Sequence, residues 1–188
     1  SITAVDKGIA IDTSMGFTPQ EGIPMGTRSG SIDPSVIPYI MKAKNLSADE
    51  VEDLINRKSG LLGVSGISSD SRYVEEAAEK GDYRAQLAVK MLANSIKKYI
   101  GSYIAEMNGI DALVFTAGIG ENSDMLRKMV CSELDFFGIK IDEDKNKSIP
   151  RGSAADISDE SAKVKTLVIP TDEEYMIALD TLNICKEQ

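Results

Sequence analysis

The 188-residue chain contains no histidine and no tryptophan. Without an imidazole it cannot by itself assemble a Ser-His-Asp or Cys-His nucleophile, a histidine general base or a histidine-ligated zinc. Its two cysteines, Cys131 and Cys185, stand far apart and form no CxxC pair. Neither a disulfide framework nor a zinc site is indicated, and a reducing cytoplasm is the expected compartment. Basic residues are also scarce: 21 Lys and Arg against 30 Asp and Glu give a net charge of −9. That balance repels a phosphodiester backbone or an anionic leaflet, so neither nucleic acid nor membrane is an expected partner. No apolar run approaches bilayer length, and the opening SITAVDKGIAIDTS lacks the charged and apolar regions of a signal peptide. It opens as a strand without an initiator Met, which reads as a piece of a longer chain. No fixed-period repeat or low-complexity tract occurs.

What is present suits a folded domain with one core of ordinary size: 42% of residues are hydrophobic and 27% charged. Chemistry is left to carboxylates, arginine, lysine, hydroxyls and backbone amides. Residues 1–12 alternate Ile2, Ala4, Ile9 and Ile11 about Asp6-Lys7-Gly8, which predicts a β-hairpin. From 12 to 30 periodicity stops in a Gly/Pro/hydroxyl-rich stretch too long for a routine connector, of the kind that lines a site. Asp33-Pro34 reads as an N-cap with the first helical residue, and Ser47 with Glu50 as a capping box. The two short helices so begun end at Gly60. After the Gly/Ser-rich LLGVSGISSD, helices are expected over 71–80 and 83–107, the second with Leu87, Met91, Ile96, Ile100 and Ile104 as a core stripe. ALVFT (112–116) is a buried strand entering AGIGENS, followed by a helix that ends near Gly138. Ile139 to Ile141 is a candidate strand, 142–163 a polar surface loop and 165–169 another strand, before the helix TDEEYMIALDTLNIC. A mixed sheet flanked by helices is the economical α/β architecture.

Four segments carry candidate chemistry. Gly118-Ile119-Gly120-Glu121-Asn122 lies between a buried strand and a helix start, where glycines let backbone approach a ligand and unpaired N–H groups attract anions. The same spacing also fits an ordinary tight turn. It is not a dinucleotide fingerprint, since Ser123 takes the third glycine's place, and no GxxxxGK[ST] occurs. Arg28, in Gly26-Thr-Arg-Ser-Gly30, has small neighbours that leave its guanidinium free for a carboxylate or phosphate, unless it is simply a surface loop arginine. In Thr171-Asp-Glu-Glu174, Thr171 as N-cap lets Glu174 close a capping box and leaves Glu173 either to hold a hard cation or to complement the helix dipole. Asp70-Ser71-Arg72 stands at another helix start, with Asp70 as a plausible cap.

DTSMGFTPQEGIPMGTRSGSIDP, VFTAGIGENS and VIPTDEE, in that order, resemble the acetate kinase family of acetate and propionate kinases. The resemblance runs over essentially all of residues 1–188 and matches the C-terminal half of such an enzyme. It implies a single nucleotide-binding domain of the RNase H-like, sugar kinase/Hsp70/actin type. It further implies reversible transfer of the γ-phosphoryl of ATP to a short-chain carboxylate, giving ADP and most simply acetyl phosphate, with Mg²⁺ and a homodimer. Arg28 then looks like the arginine that binds the carboxylate and stabilises the transferring phosphoryl group. Asp70, Ser71 and Arg72 fall at the family's Asp-x-Arg nucleotide contact, Gly118, Ile119, Gly120, Glu121 and Asn122 at its adenosine and phosphate loop, and Glu173 at its magnesium-associated glutamate. Departures are Ser71 and Tyr73 where the family has an apolar residue and an acid, Ser31 for a common aspartate, and Asp172 for a common asparagine. The family's histidine-leucine-glycine-asparagine-glycine phosphate loop would end just before Ser1. The chain alone is therefore expected not to catalyse. The alternatives are a propionate kinase, or a nucleotide-binding or dimerisation module without chemistry.

Overall fold

A computed structural model describes residues 1–186. These form two compact units, the first of residues 1–110 and 129–132, the second of 111–128 and 133 onward.

The first unit opens with strands β1 (Thr3–Asp6) and β2 (Ile9–Thr13), paired antiparallel with a register shift after Ala4. Lys7 and Gly8 both have positive φ, 48° and 83°, as the two-residue turn of a right-twisted hairpin requires. The expected alternation buries only Ala4; Ile9 and Ile11 are exposed because β2 has no neighbour beyond β1 among the described residues. Helices α1 (Val36–Lys44) and α2 (Ala48–Arg57) follow. Asp33 makes an Asx turn, its carboxylate accepting the Ser35 N–H at 2.8 Å, one turn ahead of α1. The Ser47–Glu50 capping box is present.

Gly60 does not close a helix. It opens α3 (Gly60–Ser65), inside the stretch expected to be irregular. The Arg84 Nε and Nη2 donate to the carbonyls of Val64 and Gly63 at 2.8 and 3.0 Å, satisfying the orphan groups at the end of α3. Helices α4 (Ser71–Glu79) and α5 (Tyr83–Glu106) lie where expected, and α5 packs on α3 and α4. The core face of α5 differs from expectation. Ala85, Ala88, Val89, Leu92, Ala93, Ile96, Ile100 and Tyr103 are buried, whereas Leu87 and Met91 are exposed and Ile104 is half-buried. Alanines allow α3 and α4 to approach α5 closely, and larger side chains are turned out.

The second unit is built on a three-stranded sheet ordered β3 (Ala112–Phe115), β5 (Lys165–Val168), β4 (Ala155–Asp156). β3 and β5 are parallel, with Phe115 opposite Val168, and β4 is antiparallel to β5. The described strands thus form two small sheets rather than one mixed sheet. The glycine segment is itself helical, α6 (Ala117–Asn122), and α7 (Asp124–Cys131) ends seven residues before Gly138, which instead closes a 3-10 turn over Asp135–Phe137. Ile141 makes one isolated bridge to Ser158. The stretch expected to be a plain loop contains α8 (Glu143–Lys147), capped by Asp142, and β4, because Ile157 is fully buried beside the sheet. The final helix, α9 (Glu173–Lys186), has no buried residue. Among the described residues no helix is long and apolar enough to cross a membrane.

Candidate functional site

In the first unit, the loop that carries Arg28 is laced to α2 and α3 by backbone hydrogen bonds. Leu61 and Leu62 N–H donate to the carbonyls of Met25 and Gly26, Ser59 N–H to Thr27 O, and Ser29 N–H to Ile55 O, all at 2.9 Å. The Thr27 hydroxyl adds a bond to Asn56 O at 2.8 Å. Two glycines make this approach possible. A Cβ on Gly60 would overlap Met25 O and lie 2.7 Å from Arg28 O, and one on Gly26 would lie 2.5 Å from Ser69 O. The second contact brings the Arg28 loop beside the segment that starts α4. Arg28 itself is half-buried. Its Nη1 lies 3.5 Å from Met25 Sδ, and it makes no ion pair among the described residues. A fixed backbone carrying a guanidinium that no carboxylate neutralises is what anion recognition needs. The open groove of about 650 Å³ beside Arg28 and Thr27 is walled by Asp49, Glu52 and Asp53. Arg28 and Arg57 line it as well, and Asp53 is held by Arg57 and Lys58, so its charge is mixed.

Asp70 caps α4, its Oδ1 accepting the Arg72 N–H at 3.0 Å. The same carboxylate takes Arg72 Nε and Nη2 in a forked pair, with Nη2 to Oδ2 at 2.5 Å. That hydrogen-bonded guanidinium holds the Asp70 carboxyl down at about 2. Both residues reach solvent, and Ser71 is the first residue of the helix.

In the second unit, parallel pairing of β3 with β5 sends residues 116–122 and 169–173 away from the same, carboxyl-terminal end of the sheet. This is where open α/β sheets bind ligands. A Cβ on Gly118 would meet nothing within 4 Å, and one on Gly120 only Phe115 at 3.6 Å. No neighbouring atom crowds a side chain out of either position, although Gly118 itself breaks the helical backbone at φ 0° and ψ −98°, and together they leave an open cradle. The polar side chains beside them turn inward. Asn122 Nδ2 donates to Gly118 O at 2.7 Å. Glu121 Oε1 accepts the N–H of Ala117 at 2.7 Å and the N–H of Thr171 at 2.8 Å.

Sequence reasoning missed Arg127. It is 3% exposed, donates from Nη1 to the carbonyls of Gly120 and Glu121 at 3.0 and 2.7 Å, and donates from Nε to Asn146 Oδ1 at 2.6 Å. The available signal was an arginine on the apolar face of α7, flanked by the buried Leu126 and Val130. The cap of α9 also differs. Asp172 Oδ1 accepts the Tyr175 N–H at 3.1 Å, while Thr171 is spent on Glu121, so Glu174 is the second helical residue and closes no capping box.

Glu173, exposed at the start of α9, makes no hydrogen bond or ion pair among the described residues, which contain no cluster of three potential metal ligands. One free carboxylate is too little for a resident divalent cation. It fits Mg²⁺ that arrives with a nucleotide, where phosphates and water supply most positions.

The described residues thus form an α/β protein with Arg28 on a fixed loop of the first unit and an open glycine turn in the second. The sequence profile of the Acetokinase family matches residues 1–179, and the chain belongs to that family. It is 56% identical over 186 residues to an acetate kinase of Acetivibrio thermocellus and 57% over 188 residues to one of Methanosarcina mazei, covering 99% and 100% of this chain. It spans only 46% of the length of each. The crystal structure of Porphyromonas gingivalis acetate kinase superposes with a TM-score of 0.92 at 50% identity, over 97% of this chain and 46% of that one. A propionate kinase from Francisella tularensis gives 0.86 at 44% identity, over 94% and 44%.

Proposed function

We propose that this chain is the nucleotide-binding part of an acetate kinase, a cytoplasmic homodimer of RNase H-like fold. The reaction moves the γ-phosphoryl of ATP onto an acetate oxygen, giving acetyl phosphate and ADP, and runs in both directions. The observation that carries the reading is Arg28: half-buried, in no ion pair among the described residues, and on a backbone locked to α2 and α3. Phosphoryl transfer asks the protein for placement and charge neutralisation more than for covalent help. Arg28 orients the carboxylate and neutralises the equatorial oxygens. Asp70, Ser71 and Arg72 contact the nucleoside, and the backbone from Gly118 to Asn122 receives its phosphates. Glu173 would hold the Mg²⁺ that comes with the nucleotide, which when bound would supply charge neutralisation on the polyphosphate.

Because the chain spans less than half of its relatives, it is expected to bind Mg·ADP without turning over. The test is acetyl phosphate formation by this chain, alone and joined to the N-terminal half of the Porphyromonas gingivalis relative. We expect turnover only in the joined protein, and a loss of about 10³-fold or more with Arg28→Ala. A joined protein that folds and binds ADP but makes no acyl phosphate would favour the second reading, a nucleotide-binding module without chemistry, which the 46% coverage keeps in play. The similarity to a propionate kinase makes the acetate-to-propionate rate ratio the companion measurement, since one methylene is worth about 1–3 kcal/mol.

A further inference from the structure

We infer that Glu121 is a positioning residue that straps the glycine loop to the segment bearing Glu173, so that the nucleotide cradle and the metal-side carboxylate are set together. The inference rests on the nucleotide reading above. One oxygen, Glu121 Oε1, accepts three hydrogen bonds: Ala117 N–H at 2.7 Å, Thr171 N–H at 2.8 Å and the Thr171 hydroxyl at 3.2 Å. The first bond closes the loop on itself, and the other two fasten it two residues before Glu173. The main chain of the same residue is anchored from the opposite side, where Arg127 Nη1 donates to Glu121 O at 2.7 Å. Residue 121 is therefore held by carboxylate and carbonyl at once. Its side chain faces the protein's own amides, which assigns it to the shape of the site and leaves ligand contact to the open backbone at Gly118 and Gly120.

Reach and charge separate this role from direct metal or phosphate contact. Glu121→Gln keeps the reach and an acceptor oxygen but loses the charge. Glu121→Asp keeps the charge and shortens the reach by one methylene. ADP is titrated calorimetrically into this chain and both variants, with and without Mg²⁺, and amide exchange is followed at Thr171 without ligand. In the parent, Mg²⁺ is expected to strengthen ADP binding about tenfold, an ordinary coupling. Glu121→Gln should retain that enhancement within about threefold and keep the Thr171 amide protected. Glu121→Asp should lose most of the enhancement and expose the amide. The reverse order, with Gln losing the enhancement and Asp keeping it, would make the charge the active feature and overturn the strap. So would equal enhancement in all three proteins. A folded parent that binds no ADP would overturn the nucleotide reading and the coupling with it, whereas binding with unchanged enhancement in Glu121→Asp overturns the strap alone.

Discussion

Gly60 decides where Arg28 sits, although nothing in its own neighbourhood in the sequence announces this. Its φ is +60°, and the space a side chain would take is filled by the carbonyls of Met25 and Arg28. Gly81 is the natural control: its φ is +93°, but a Cβ there would meet nothing within 4 Å. Gly81→Ala should therefore carry only the left-handed backbone cost of about 1–2 kcal/mol. Gly60→Ala adds a steric conflict with two carbonyls that already accept hydrogen bonds, and should destabilise by about 3 kcal/mol or more. Urea unfolding of the two variants measures the difference. Equal losses would show that the 25–28 loop yields freely, and Arg28 would then lose its claim to a preset position.

At the scale of elements, α4 shows how a helix end is tuned by charge. Asp70 caps it and is held by Arg72, so its carboxyl titrates near 2, below the ordinary value of about 3.9 for an unfolded aspartate. A depressed acid contributes its stability in full above the unfolded value and loses it as pH falls through the folded one, so the cap weakens between about pH 4 and 2. Carboxyl NMR titration of Asp70 should give a midpoint near 2 in the parent. In Arg72→Gln the midpoint should rise toward, but not reach, the unfolded value, because the backbone N–H still donates. A midpoint unmoved by the substitution would place the cause elsewhere. The Asp70 and Ser47 caps were legible in the sequence, as were the hairpin turn, the bounds of α4 and α5, and the strands β2, β3 and β5 that lead into the Arg28, glycine and Glu173 loops, whereas the caps expected at Asp33 and Thr171 were not those formed. The α3 helix, α8 and the inward turn of α5's alanines were not. Each depends on tertiary contact, with Arg84 completing α3, Ile157 fixing the 142–163 stretch, and close helix approach selecting Ala85 and Ala88 over Leu87. Arg28 and Gly118 to Asn122 stand out in the sequence as candidate site residues. Their supports at Gly60, Arg127 and Thr171 do not, because each acts on a residue distant in the chain.

For the whole molecule, the division into two units implies that they do not contribute equally to stability. The first, the larger, holds the long run of α5 core residues, with Val74, Val51 and Leu61, whereas the second buries fewer apolar side chains, among them Leu126, Ile139, Ile157 and Val168, and α9 buries none. Buried apolar area is the main favourable contribution to folding, so the second unit should unfold first. The two thiols report on this directly. Cys185 is exposed on α9, while Cys131 is 4% exposed and groups with the first unit. Pulsed thiol labelling across a urea series, read by mass spectrometry beside far-ultraviolet circular dichroism, should find Cys185 modified without denaturant. Cys131 should stay protected until well after helical signal has begun to fall, which is the signature of a transition that is not two-state. Saturating Mg·ADP should then delay the early phase, because a ligand that binds only the folded protein stabilises it by mass action. If Cys131 labelling and loss of helix instead superimpose at every urea concentration, the two units fold as one cooperative body, and the glycine cradle and the Arg28 loop share a single stability.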